Sequence, residues 1–252
     1  MATWILLRGL MREARHWGGL PEVLRAQVGG AEVVTLDLPG NGRLHRLRSP
    51  SSVLQMVDFC RGELAARGIS PPYHLLGLSM GGMVAVAWGS THPQELYGCV
   101  LINSSLGRFD PFYRRLRPGA YPALLSLVSG TPAQQERAIL RLTSRRGEAQ
   151  AGVLEAWLAY RRECPVSRRN ALRQLFAAAR YRAPTRRPAV PILVLASAQD
   201  ALVNPRCSRH LAARWNTPLA IHPDAGHDLP LDDAAWVARQ VRDWLVSEAL
   251  RR

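Results

Sequence analysis

Ser79 sits in Gly77-Leu78-Ser79-Met80-Gly81, between an apolar run over residues 73–78 and a second over 83–88 that is rich in Ala and Val. That order predicts a buried strand, a sharp reversal and a helix. A reversal of a strand into a helix within a few residues strains the central residue. It also crowds its neighbours, so glycine is needed beside the serine. The turn would lift the hydroxyl above the sheet edge, at a helix N-terminus. There the Met80 N–H faces any negative charge forming on a bound carbonyl. A serine hydroxyl is a poor nucleophile at neutral pH, and it needs a base that is itself oriented by a carboxylate. In parallel sheets, working residues lie in the loops after the carboxyl ends of strands. Asp200 follows the apolar run 191–195 (PILVL), and His227 follows 219–222 (LAIH). Asp224 and Asp228 are fallback acids, too near His227 in sequence to orient it easily, and His222 is the rival base.

The elements that would position these groups alternate between strand and helix. Apolar runs at 4–7, 32–38, 73–78, 97–103, 191–195 and 219–222 predict strands. Helical spacing appears at 20–28, at 53–67 behind Ser51 or Ser52 as a cap, at 205–215 and at 232–250. In the 53–67 helix, Val53, Leu54, Val57, Cys60 and Leu64 are expected on one buried face. The alternation implies an α/β fold with a mostly parallel sheet covered by helices on both faces. Between 108 and 187 the strand signal stops. Helical stretches at 132–143, 152–162 and 167–181 are separated by prolines. The expected organisation is a core of residues 1–107 and 188–252 interrupted by a helical cap, 108–187.

Composition sets further bounds. The 252 residues are 47% hydrophobic, enough for a sizeable core, and no apolar run reaches transmembrane length. The first residues, MATWILLRGL, lack a basic n-region and read as the first strand, which points to a cytoplasmic protein. Four scattered cysteines, Cys60, Cys99, Cys164 and Cys207, read as free buried thiols, and no metal-ligand spacing is present. The net charge is +14, and every basic residue is arginine. Residues 108–187 carry seventeen arginines against five acids, an excess of +12, whereas the rest of the chain carries +2. Charge focused in this way could attract an acidic carrier protein, an anionic membrane face or a nucleic acid, with Arg145, Arg146, Arg161 and Arg162 as the candidate contacts for an acidic partner. No helix-turn-helix, zinc-finger or RNP signature accompanies it, so a nucleic-acid partner is not expected.

The blocks DLPGNG at 37–42, GLSMGG at 77–82, PILVLASAQDALV at 191–203 and AGHDLPLDD at 225–233 together resemble the α/β-hydrolase superfamily over the whole chain except the insertion. The resemblance implies a triad of Ser79, Asp200 and His227, since the chain order serine, acid, histidine is that of the superfamily. It also implies an oxyanion hole made by the Leu10 and Met80 amides, a helical cap roofing the pocket, and no cofactor. The expected activity is that of a serine esterase acting on carboxylic esters or thioesters. Within the superfamily the chain is similar to compact esterases that act on the methyl ester of pimeloyl-carrier protein. A non-catalytic binding protein on the same scaffold is the alternative. Family members usually carry His-Gly where this chain has Arg8-Gly9, and Arg8 is expected to pair with Glu13 or to face an acidic substrate group.

Overall fold

The computed structural model describes residues 2–146 and 152–250, apart from the side chains of 126–129. Six strands form one sheet: β1 (Thr3–Leu7), β2 (Val33–Leu36), β3 (Tyr73–Leu78), β4 (Leu96–Ile102), β5 (Ile192–Ser197) and β6 (Leu219–His222). Every pairing is parallel, in the order β2-β1-β3-β4-β5-β6. All six correspond to apolar runs in the sequence. Strands buried on both faces need no polar side, so they read as continuous hydrophobic stretches.

Two helices, α1 (Leu20–Gln27) and α10 (Leu229–Ala249), pack with Trp4, Leu6, Leu76, Val100 and Leu195 on one face of the sheet. On the other face, α2 (Val53–Ala66), α3 (Met80–Thr91) and α9 (Arg206–Trp215) pack with Ile5, Leu7, Leu75, Leu101 and Val194. Ten of the twelve residues of α3 are buried, which explains why its sequence is small and apolar all round. The face expected of α2 is right in four of its five residues. Leu54 is 49% exposed and Met56 takes its place in the core. On a helix wheel Leu54 lies about 100° from Val53 whereas Met56 lies within about 60° of it. Ser52 occupies the N-cap position of α2, but its side chain makes no capping bond. In α10 the backbone leaves helical geometry at Asp233, whose carboxylate accepts from Trp236 N–H at 2.8 Å and caps the longer part of the helix.

Among the described residues between β4 and β5 the regular elements are all helical: α4 (Phe112–Arg115), α5 (Tyr121–Ser129), α6 (Pro132–Thr143), α7 (Val153–Glu163) and α8 (Arg168–Arg180). The first two were not evident in the sequence, since both are short and preceded by proline-containing turns. Helix α6 carries a capping box in which Thr131 and Gln134 exchange bonds. Cys60, Cys99 and Cys207 are free and buried, as expected, but Cys164 is only partly so. No helix among the described residues is long and apolar enough to cross a membrane.

Candidate active site

The sheet reverses its winding between β1 and β3, because β1 leads outward to β2 while β3 continues to β4 on the other side. Crevices at such switch points, outside the carboxyl ends of the strands, are the usual binding place in this architecture. The loop after β1 and the turn after β3 meet there. Ser79 adopts φ 55° and ψ −114° between β3 and α3, a left-handed conformation that costs a non-glycine residue strain. Neighbouring glycines allow it. A Cβ on Gly77 would lie 2.4 Å from the backbone of Gly81, and one on Gly81 would lie 2.0 Å from the Leu7 carbonyl oxygen. The main chain of Ser79 is held on both sides: its N–H donates to Ile102 O at 2.9 Å, and its carbonyl accepts from Ser104 Oγ at 3.0 Å. Its side chain remains partly exposed.

Met80 opens α3, so its N–H belongs to the first turn, whose amides have no partner inside the helix. The loop after β1 passes close by. A Cβ built on Gly9 would sit 3.2 Å from Ser79 Cβ and 3.7 Å from its Oγ, so a side chain here would press on Ser79 where the backbone leading to Leu10 approaches it. The next residue, Met11, has φ 55° and donates its N–H to Gln174 Oε1 of α8 at 2.9 Å. Farther along, Arg12 bonds Glu136 of α6 at 2.9 Å and lies over Trp157 of α7, while Arg15 pairs with Glu13 and Glu163. His16 packs against Trp157 and Tyr160. Burial, with the nearby Arg12 and Arg8 charges, keeps its imidazole well below the usual histidine range. The loop bearing Leu10 is thus fastened to three of the helices between β4 and β5.

Asp200 and His227 are brought together: His227 Nδ1 lies 2.7 Å from Asp200 Oδ2, and both residues are buried. The other carboxylate oxygen accepts from Leu202 N–H and Val203 N–H, each at 2.8 Å. One oxygen fixes the loop and the other faces the imidazole. Asp200 is therefore not the cap of α9, which starts at Arg206. Asp224 is exposed. Asp228 is buried and forms a two-pronged ion pair with Arg8, at 3.0 and 2.6 Å. Arg8 does not pair with Glu13 as expected; Glu13 holds Arg15 instead. His222, the rival base, accepts from Asp224 N–H and Ala225 N–H on Nδ1 and lies 3.4 Å from Asp233 on Nε2, so it is built into its own turn.

Three residues that the sequence did not mark hold this arrangement. Asn103, at φ 46° just after β4, donates through Nδ2 to the carbonyls of His227 and Gly226 and to Ser197 Oγ, and accepts from Ser197 N–H. The buried Asp232 accepts from the N–H groups of Gly226, Arg145 and Arg146 and from Ser144 Oγ. It thereby ties the His227 loop to the end of α6. Arg117 donates to the Asp200 carbonyl at 2.6 Å. The only local signal for Asn103 was a polar residue ending an apolar strand. Of the four arginines singled out for an acidic partner, Arg145, Arg146 and Arg162 are exposed, whereas Arg161 bonds Glu136 and Gln135. Among the described residues no cluster of three or more His, Cys, Asp or Glu could hold a metal ion.

The Arg8–Asp228 pair should matter to stability. Both side chains are nearly inaccessible, at 3% and 4% exposure. Arg8→Met would leave a buried carboxylate unpaired, an expected loss of about 3–5 kcal/mol. Adding Asp228→Asn should recover part of that loss in urea melts. An Arg8→Met protein as stable as the parent would show the pair to be neutral.

The chain matches the model of the Alpha/beta hydrolase family over residues 4–240, and it belongs to that family. No curated protein sequence matches it. Its fold is shared by the enol-lactonase from Burkholderia xenovorans LB400, with 19% identity, TM-score 0.79 and coverage of 97% of this chain and 91% of that one. An esterase from Rhodococcus sp. ECU1013 is 21% identical with TM-score 0.75, covering 98% and 90%. A thermophilic esterase from Thermogutta terrifontis is 19% identical with TM-score 0.74, again covering 98% and 90%.

Proposed function

We propose that the chain is a serine hydrolase that cleaves carboxylic esters or thioesters through an acyl-enzyme on Ser79, with residues 108–187 as its cap. The observation that carries the reading is the buried His227–Asp200 pair, whose histidine main chain is held by Asn103, while the residues on either side of Asn103 hold the main chain of Ser79 on its strained strand-to-helix turn. Ser79 Oγ attacks the acyl carbonyl while His227 Nε2 takes its proton. Asp200 holds the imidazole with its N–H on Nδ1 and stabilises the cation that forms. The Leu10 and Met80 amides donate to the oxyanion of the tetrahedral intermediate. Collapse expels the alcohol or thiol, which receives the proton from His227. Water, deprotonated by the same imidazole, then releases the acid and restores the serine. Neighbours of the same fold that are esterases and a lactonase support acyl chemistry at such a site.

A fluorophosphonate probe should label the protein at Ser79, and a panel of p-nitrophenyl and methyl esters of rising chain length should be turned over in a chain-length-dependent way. No labelling together with no turnover across the panel would make the chain a binding protein on a hydrolase scaffold.

A further inference from the structure

Helix α8 turns two amide side chains inward and leaves its large apolar side chains outside. Asn170 and Gln174 are buried with Ala177 and Ala178, while Leu172, Leu175 and Phe176 are 66%, 50% and 49% exposed. The inward amides are satisfied. Asn170 accepts from Ser49 N–H and donates to Leu47 O; Gln174 accepts from Met11 N–H and donates to Asn41 Oδ1 and Ser49 Oγ. Folding therefore accounts for the inner face and leaves the outer apolar stripe unexplained. The stripe extends beyond the helix. Leu47 is 46% exposed in the loop that Asn170 binds, and Leu54 is 49% exposed across a cavity from Phe176.

The surroundings of the stripe are strongly cationic, although Asp58 is exposed one turn beyond Leu54 in α2. Residues 38–57 and 164–199 contain no Asp or Glu. Arg43, Arg46, Arg48, Arg168, Arg169, Arg180 and Arg182 are exposed on these segments, and among the described residues none of them forms an ion pair. Arg180 lies over the Phe176 ring at 4.9 Å. Beside the stripe, a cavity of about 630 Å³ is lined by Leu54, Phe176, Tyr181, Arg108, Arg180 and Arg182.

We propose that the outer face of α8, with the 43–48 loop, docks on an anionic lipid surface. A ridge of Leu and Phe flanked by long basic side chains fits the boundary between headgroups and acyl chains. The apolar groups enter the boundary, and the arginine stems reach back to the phosphates. The adjoining cavity offers one lipid both apolar walls and guanidinium groups. A second copy of the chain does not suit this face, since two surfaces this rich in arginine without ion-pair partners would repel each other. The inference is independent of the serine chemistry, and its test reads binding alone.

The full chain is sedimented with vesicles of phosphatidylcholine, with and without phosphatidylglycerol. Binding is expected only to the anionic vesicles and should weaken as salt is raised. A basic residue near an anionic surface strengthens binding about fivefold, so Arg168→Glu with Arg169→Glu should lower the partition coefficient at least about twentyfold. Leu172→Ser with Phe176→Ser should lower it about tenfold or more even at low salt. The charge-matched pair Arg25→Glu and Arg239→Glu, on the helices covering the opposite face of the sheet, should bind as the parent does. Equal binding to neutral and anionic vesicles, or equal losses in the α8 variants and the control pair, would overturn the proposal. So would retention of an acidic carrier protein by this face in the absence of vesicle binding.

Discussion

Ser79→Ala is expected to lower ester turnover by about four to six orders of magnitude and to leave the fold intact. The two halves of that expectation rest on different atoms. The structural bonds of Ser79 run through its main chain, from its N–H to Ile102 O and from Ser104 Oγ to its carbonyl, and alanine keeps both. Alanine also keeps the Cβ against which Gly9 packs, and the left-handed backbone is already borne by a residue with a Cβ. Only the hydroxyl is lost. On the proposed mechanism that hydroxyl forms the acyl bond, and no other side chain on the turn can replace it. The checks are kcat/KM on a p-nitrophenyl ester, fluorophosphonate labelling and a thermal melt. Activity within tenfold of the parent, with an unchanged melt, would remove Ser79 as nucleophile.

The legible and illegible parts of the molecule divide along a physical line. All six strands and the helices that cover the sheet were readable because each signal is local: apolar runs for strands buried on both faces, helical spacing for α1, α2, α9 and α10. The candidate site was readable for the same reason, since Ser79, Asp200 and His227 each lie within five residues after such a run. Long-range partners left no trace. Arg8 and Asp228 are 220 positions apart, and only the assembled fold brings them together. Glu13 was the nearer acid in sequence, but Arg15 holds it. Helix α8 shows the converse problem. Its spacing marked a helix correctly, yet its largest apolar side chains face outward, because Asn170 and Gln174 are needed inside to hold the loops at 41–49 and at Met11. Periodicity reports that a helix has two faces, and tertiary partners decide which is buried.

Asp200→Asn should lower kcat/KM by about four orders of magnitude with little change in stability, whereas Asp224→Asn should do neither. The carboxylate has two separate duties in the structure. Oδ1 accepts from the Leu202 and Val203 amides, and an asparagine carbonyl can take over those bonds at the same 2.8 Å. Oδ2 lies 2.7 Å from His227 Nδ1, and there the substitution presents an NH₂ group, which can only donate. Nδ1 must then accept, so the imidazole proton moves to Nε2. An Nε2 that carries a proton cannot take the proton of a serine hydroxyl, and the base is lost although the ring has not moved. Asp224 is exposed and touches the site only through its backbone N–H to His222, so its charge can be removed without consequence. Asp228→Asn is a third, distinct case: it breaks the pair with Arg8 and should appear mainly in stability. Steady-state kinetics and melts on the three variants separate these outcomes. A harmless Asp200→Asn beside a severe Asp224→Asn or Asp228→Asn would move the role of orienting acid away from Asp200.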